Sequence, residues 1–294
     1  MSSEPMTLKA NLEDAPIAAA VKSGRVTSDL VHMHFCGPEI AYNGFKAMLR
    51  EHAFDCGELA IVTYLQAKIY NKPFVMLPFP INGRAQQSAI GYNKDLGVIG
   101  PKDLEGKKVG VRTYSQTTGL WIRGILKHDY GVDLSKITWL NTDVSHLAEY
   151  QDPPNCHLLP KGSDLGKMML DGEIAAAILG KELPNDPRVA TVIPNAKEAG
   201  EDWIRRYGLT PINHVFTVRQ ELSKERPDVV RELYRMMVES RKLAPASAMA
   251  EMPPYGFNAL RKTLELAIDW AFEQKIVTRR LSVDELFDDT TASL

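Results

Sequence analysis

The residues best suited to chemistry fall in a few short segments. After Val111 come Arg112, Thr113 and then Tyr114-Ser115-Gln116-Thr117-Thr118, a strand end running into a hydroxyl-rich helix opening. Free N–H groups at a helix start, together with the positive end of its dipole, favour an anion. Ser115, Thr117 and Thr118 add hydroxyl donors, with Tyr114 and Gln116 beside them. The competing reading is helix capping, which Ser and Thr do widely. Glu58 follows Phe54–Cys56. It reads either as an acid at a helix N-terminus or as a carboxylate that binds a substrate hydroxyl or moves a proton. His214 lies in PINHVF. Imidazoles as a class titrate near neutrality, which suits proton transfer; the alternative is a buried histidine satisfied by backbone carbonyls.

Arg84, Gln86, Gln87 and Ser88 lie between two apolar strand candidates. Arg84 has the fork geometry to pair with a carboxylate, or it is an exposed loop charge. His32 and His34 form an HxH pair that invites a metal reading, but the sequence marks no third ligand and no metal is expected. His34 and Asn141, at the ends of their strands, are further candidates for ligand contact. Tyr114, Trp121 and Tyr64 offer rings to an aromatic ligand, although Trp121 stands a turn or more into its helix and reads as core.

The elements that must position these residues alternate along the chain. The patterning predicts strands at Thr7–Leu12, Ser28–His34, Phe54–Cys56, Phe74–Pro80 and Ser88–Asn93. Helices are expected at Asp14–Lys22, with Asp14 as N-cap, at Pro38–His52 and at Gly57–Tyr70. A turn-rich charged stretch, GVIGPKDLEGKKVGV, then precedes a strand at Val109–Val111 and a second run of alternation. That run comprises a helix at Tyr114–Asp129, a strand at Ile137–Asn141, a loop at Gln151–Gly162, a helix at Ser163–Leu170, a strand at Ala175–Leu179 and a helix at Ala196–Tyr207. Pro211–Arg219 is extended, and helices at Lys224–Leu243 and Phe257–Val277 close the chain around the loop APASAMAEMPPYG. Such alternation implies an α/β protein with mainly parallel sheet covered by helices.

The bulk numbers agree. At 294 residues the chain suits two compact units, at roughly 100–200 residues per domain. Lys and Arg number 35 against 37 Asp and Glu, a net charge of −2, and no basic stripe marks a nucleic-acid partner. Cys36, Cys56 and Cys156 form neither a disulfide framework nor a zinc pattern. No run approaches the ~20 apolar residues that span a bilayer. The charged opening MSSEPMTLKANLEDAPIAAAVKSG does not read as a secretory signal, so a cytoplasmic location is expected and no membrane contact. Whether copies of the chain associate stays open.

Three segments, VGVRTYSQTTGLWIRGIL, FDCGELAIVTYLQAKIYNKPFVMLPFPI and GLTPINHVFTVRQELSKERPDVV, resemble the 4,5-dihydroxyphthalate decarboxylases and their relatives, over roughly Thr7 to Leu243. The resemblance is most specific at Tyr114–Leu126. It implies the two-lobed fold of type II periplasmic binding proteins, with a ligand cleft between lobes. Lobe one would hold residues 1–92 and the C-terminal helices at 215–294, and the inserted lobe residues 93–214. It also implies a small aromatic carboxylate as ligand, held by the Ser115–Thr118 helix start and Arg84, with Gln87 and Ser88 nearby and His214 or Glu58 handling protons. The reaction would be decarboxylation of a hydroxylated aromatic acid without a cofactor. The chemistry needs an acid about 3 Å from the ring carbon that loses the carboxylate. Relatives divide between decarboxylases and binding proteins for uptake or sensing. The decarboxylases tend to carry Arg-His just before the serine, where this chain has Gln86-Gln87. That departure removes a cation and a proton donor, whereas the opening sequence favours the enzyme.

Overall fold

The computed structural model describes residues 4–294. Strands are β1 Met6–Asn11, β2 Val31–Phe35, β3 Cys56–Ala60, β4 Phe74–Gly83, β5 Ile90–Asn93, β6 Lys108–Val111, β7 Thr138–Asn141, β8 Cys156–Leu158, β9 Ala176–Ile178, β10 Val189–Thr191 and β11 Ile212–Arg219. The contacts divide the chain into two compact units. Unit one holds the chain up to Arg84 with Ile212–Ile268 and Val277–Leu294, and unit two holds Ala85–Pro211 with Asp269–Ile276. The sequence expectation sets the divisions near 92 and 214 and keeps the whole C-terminal run in one lobe; the eight residues Asp269–Ile276 group instead with unit two.

Unit one is built on a five-stranded sheet in the order β2-β1-β3-β11-β4. β1 runs parallel to β2 and β3, and β11 runs antiparallel to β3 and β4. Period-2 alternation is clean at the edge. Leu8 and Ala10 of β1 and Val31 and Met33 of β2 enter the core, while Thr7, Lys9, His32 and His34 are exposed on the opposite face. Against the core face pack Val229, Val230, Leu233, Met236 and Met237 of the Pro227–Lys242 helix. In unit two the order is β10-β5-β9-β6-β7-β8. Its ladder is parallel from β9 through β8 and antiparallel at β5. Trp121, Trp203 and Trp270 meet edge to face at 5.5–6.5 Å, and a Cβ on Gly124 would stand 1.9 Å from the Trp270 ring.

Several expected elements change. Glu58 does not open a helix: it lies within β3, and the helix begins only at Ile61. The cause is Gly57. Its φ is 147°, and a Cβ there would stand 2.2 Å from the Asn11 carbonyl oxygen, so only glycine lets β3 lie against β1. The expected helix at Pro38–His52 is a 3-10 turn at Ala41–Gly44 and a π turn at Ala47–Glu51. Asp14 caps nothing; it pairs with Lys22, and the helix is only Ala19–Lys22. Pro227 divides Lys224–Leu243 between two helices, Gln220–Glu225 and Pro227–Lys242. The expected loop Gln151–Gly162 contains β8, an edge strand of three residues too short to show alternation. No helix among the described residues is long and apolar enough to cross a membrane.

Candidate functional site

In unit one the chemistry gathers where β3 meets β11. The antiparallel register pairs Glu58 with Phe216 and Ala60 with His214, so Glu58 and His214 are diagonal neighbours on one face, within reach of long side chains. Between β11 and β4 the register shifts on both sides of His214, an irregularity of the kind that re-aims a side chain. Glu58 is fully buried, and its Oε2 lies 2.6 Å from His214 Nδ1. Glu58 Oε1 accepts the Glu13 N–H at 2.6 Å. When ionised, a carboxylate only accepts. Nδ1 must then carry the shared proton, and Nε2 is left either to accept a proton or, in the imidazolium, to donate one. The His214 side chain keeps 17% of its surface exposed, and the Phe45 ring meets it edge-on at 5.6 Å.

Glu13 and Asn11 were not among the sequence candidates. They stand at the carboxyl end of β1, where α/β proteins place their sites, and that position was the available signal. Glu13 accepts the Ala41 N–H at 3.3 Å, while buried Asn11 donates to the Ala41 carbonyl at 3.0 Å.

In unit two the helix opens later than the sequence suggests, at Thr117, with Gln116 as N-cap. The Gln116 side chain makes no capping bond, and a turn closed by the Gln116 N–H on the Thr113 carbonyl precedes it. Ser115 does not cap the helix either. Its hydroxyl donates to Ser145 Oγ at 3.2 Å and lies 3.3 Å from Thr113 Oγ1. Ser115, Thr117 and Thr118 are all buried. Among the described residues, the N–H groups of Ser115, Thr118 and Gly119 have no acceptor in the protein. This is a cluster of N–H donors and hydroxyls at the positive end of a 12-residue helix, suited to an anion.

The other candidates are placed differently. Tyr114 is buried, with its ring against the Arg123 guanidinium at 3.9 Å and edge to face with Trp139, and its hydroxyl donates to the Gln274 carbonyl. Trp121 and Tyr64 are core residues, and Tyr64 binds the backbone of Met76 and Leu286. Buried Asn141 donates to Asp152 at 2.7 Å rather than toward the helix start. Gln87 is buried against Gly200 and accepts the Gln86 N–H, and Ser88 is exposed. Arg84 is half-buried; burial pushes its pKa down, against the opposing pull of Glu251. His34 stays apart from the Glu58–His214 pair. With His32, Lys22 and Thr7 it lines a surface cavity of about 680 Å³, and the described residues hold no group of three side chains suited to a metal.

No family model matches the chain. It is 26% identical over 246 residues to the 4,5-dihydroxyphthalate decarboxylase of Comamonas testosteroni, covering 76% of this chain and 72% of that one. To the 4,5-dihydroxyphthalate decarboxylase of Pseudomonas putida it is 25% identical over 181 residues, covering 57% of this chain and 68% of the other. Among solved structures it resembles the alkanesulfonate-binding protein SsuA from Xanthomonas axonopodis pv. citri, with a TM-score of 0.61 at 13% identity over 97% of this chain and 99% of that one. The periplasmic aliphatic sulphonate binding protein SsuA from Escherichia coli gives 0.64 at 12% identity, over 99% and 100% of the two chains. The desulfurization enzyme DSZB gives 0.59 at 13% identity over 98% of each chain. These likenesses show the periplasmic-binding-protein fold.

Proposed function

We propose that this protein is a cofactor-independent decarboxylase of a hydroxylated aromatic carboxylic acid, 4,5-dihydroxyphthalate or a close analogue, serving the degradation of aromatic compounds. The observation that carries the reading is the buried Glu58 carboxylate bonded to His214 Nδ1. The similarity to two proteins named for this reaction supports it.

In the proposed reaction a ring hydroxyl feeds electron density to the carbon bearing the leaving carboxylate. His214, as imidazolium, delivers its Nε2 proton to that carbon. The bond to the carboxylate then breaks, its electron pair restores the aromatic ring and CO2 departs. One proton is consumed per turnover and returns to His214 from solvent. No electrons change hands, so the balance needs no redox partner. Glu58 offsets the imidazolium charge and fixes the ring orientation. Within unit two, the donors of Ser115–Gly119 are assigned a ligand carboxylate.

Gln86-Gln87 keeps a second reading in play, a binding protein for a small aromatic carboxylate. Incubating purified protein with a panel of hydroxylated benzoates and phthalates, and reading CO2 release and binding together, separates the two. Turnover of at least one acid supports the enzyme, and binding without turnover supports the carrier.

A further inference from the structure

Arg123 is completely buried in unit two; the Asp152 carboxylate attracts it, but among the described residues no carboxylate comes within ion-pair distance. Burying a charge without a direct ion-pair partner is costly, so its retention calls for an account. Two of its three nitrogens are committed. Nε donates to Gln274 Oε1 at 2.8 Å and Nη2 to the Tyr114 carbonyl at 2.6 Å. Gln274 is itself held by its donation to the Leu120 carbonyl at 2.9 Å. Tyr114 and Trp139 present their ring faces to the guanidinium at 3.9 and 5.3 Å. The third nitrogen, Nη1, is buried without a hydrogen-bond partner. It lies 2.9 Å from where a Cβ on Gly119 would stand, against the first turn of the Thr117–His128 helix.

Both contacts bear on the donors at that helix start. The Tyr114 carbonyl and the Ser115 N–H belong to one planar trans peptide, so a carbonyl turned toward Arg123 turns the Ser115 N–H the opposite way. A cation on the carbonyl oxygen also polarises that N–H as a donor. Nη1, under Gly119, adds a fixed positive charge where the helix dipole already favours an anion.

We propose that Arg123 is a positioning residue that gives the Ser115–Gly119 donors their preference for a charged carboxylate over a neutral group of the same shape. The inference rests on the functional reading above, which places a ligand carboxylate at those donors. It assigns Arg123 no contact with the ligand.

The test compares affinities for phthalate, a dicarboxylate without the ring hydroxyl that the proposed reaction needs, and its uncharged diamide, phthalamide, by calorimetry. A merely structural role for Arg123 weakens both and leaves their ratio unchanged. In wild type the dicarboxylate should bind far better. In Arg123→Met the ratio should fall by about tenfold or more, the size expected for a unit charge a few ångströms away in a partly shielded site. Arg123→Lys should keep most of it. If Arg123→Met does not fold, Gln274→Met, which frees the Nε anchor, should lower the ratio by a smaller factor. An unchanged ratio in Arg123→Met, or in Gln274→Met where that variant must decide, overturns the inference and leaves the functional reading standing. A wild type that binds neither probe overturns the functional reading and this inference with it.

Discussion

Glu58 and His214 stand on neighbouring antiparallel strands, and one carboxylate oxygen of the first lies 2.6 Å from Nδ1 of the second. The other oxygen takes the backbone N–H of Glu13. The carboxylate is thus held at both ends, and the imidazole is held through it.

That arrangement sets the tautomer. In wild type the neutral His214 ring should carry its proton on Nδ1. Glu58→Gln can turn an amide N–H toward Nδ1 and should move the proton to Nε2. Nitrogen NMR of ring-labelled protein distinguishes the two forms. An Nε2–H tautomer in the wild type would contradict the orientation argued above.

Gly57 makes the approach of β3 to β1 possible. Gly57→Ala places a methyl against the Asn11 carbonyl at a φ that side chains rarely adopt. It should cost about 3 kcal/mol of stability, combining backbone strain and overpacking. Urea unfolding measures this, and a loss well under about 1 kcal/mol would mean that β3 shifts freely.

How much of this was legible in the sequence depends on the range of the signal. The alternation of Leu8 and Ala10 with Thr7 and Lys9 is local, and β1 emerges with its boundaries moved by one residue. The helix Ala196–Tyr207 has the expected limits, since an αL Gly208 ends it. Glu58 falls in a strand although the apolar run after it continues as a helix at Ile61–Ile69; nothing local reveals that β1 and β11 capture Cys56–Ala60 as strand. Both Glu58 and His214 could be named as candidates from residue type, but their pairing across 156 positions could not. Arg123 sits in a helix of otherwise mostly apolar residues, and only the fold shows that it is buried.

The thiols should differ in reactivity. Cys36 is exposed. Burial pushes the Cys156 thiol up to about 12, and raises the fully buried Cys56 further from the thiolate range. Since the thiolate is the reactive form, native protein at pH 8 should release one fast equivalent from an aromatic disulfide reagent. Peptide mapping should locate it at Cys36, with the other two reacting after unfolding. Fast labelling of Cys56 would contradict its placement.

Acid should weaken the fold through specific carboxylates. Glu105 is held down to about 2 by the Asp133 N–H first and then by Lys102 and Lys136. Its folded pKa lies below the unfolded value of about 4.3, so its contribution is present above that value and is lost as pH falls toward 2. Denaturation midpoints of wild type should therefore decline more steeply across this window than those of Glu105→Gln. Equal slopes would show that the three contacts do not persist in solution.

The most direct measurement of the central claim is CO2 release from 4,5-dihydroxyphthalate by wild type and by His214→Gln, with the dissociation constant of each determined alongside. Proton transfer by His214 predicts turnover by the wild type and a loss of roughly 10²–10⁴-fold in the variant, with affinity changed much less. Binding without CO2 release by the wild type, or equal turnover by both proteins, would contradict it.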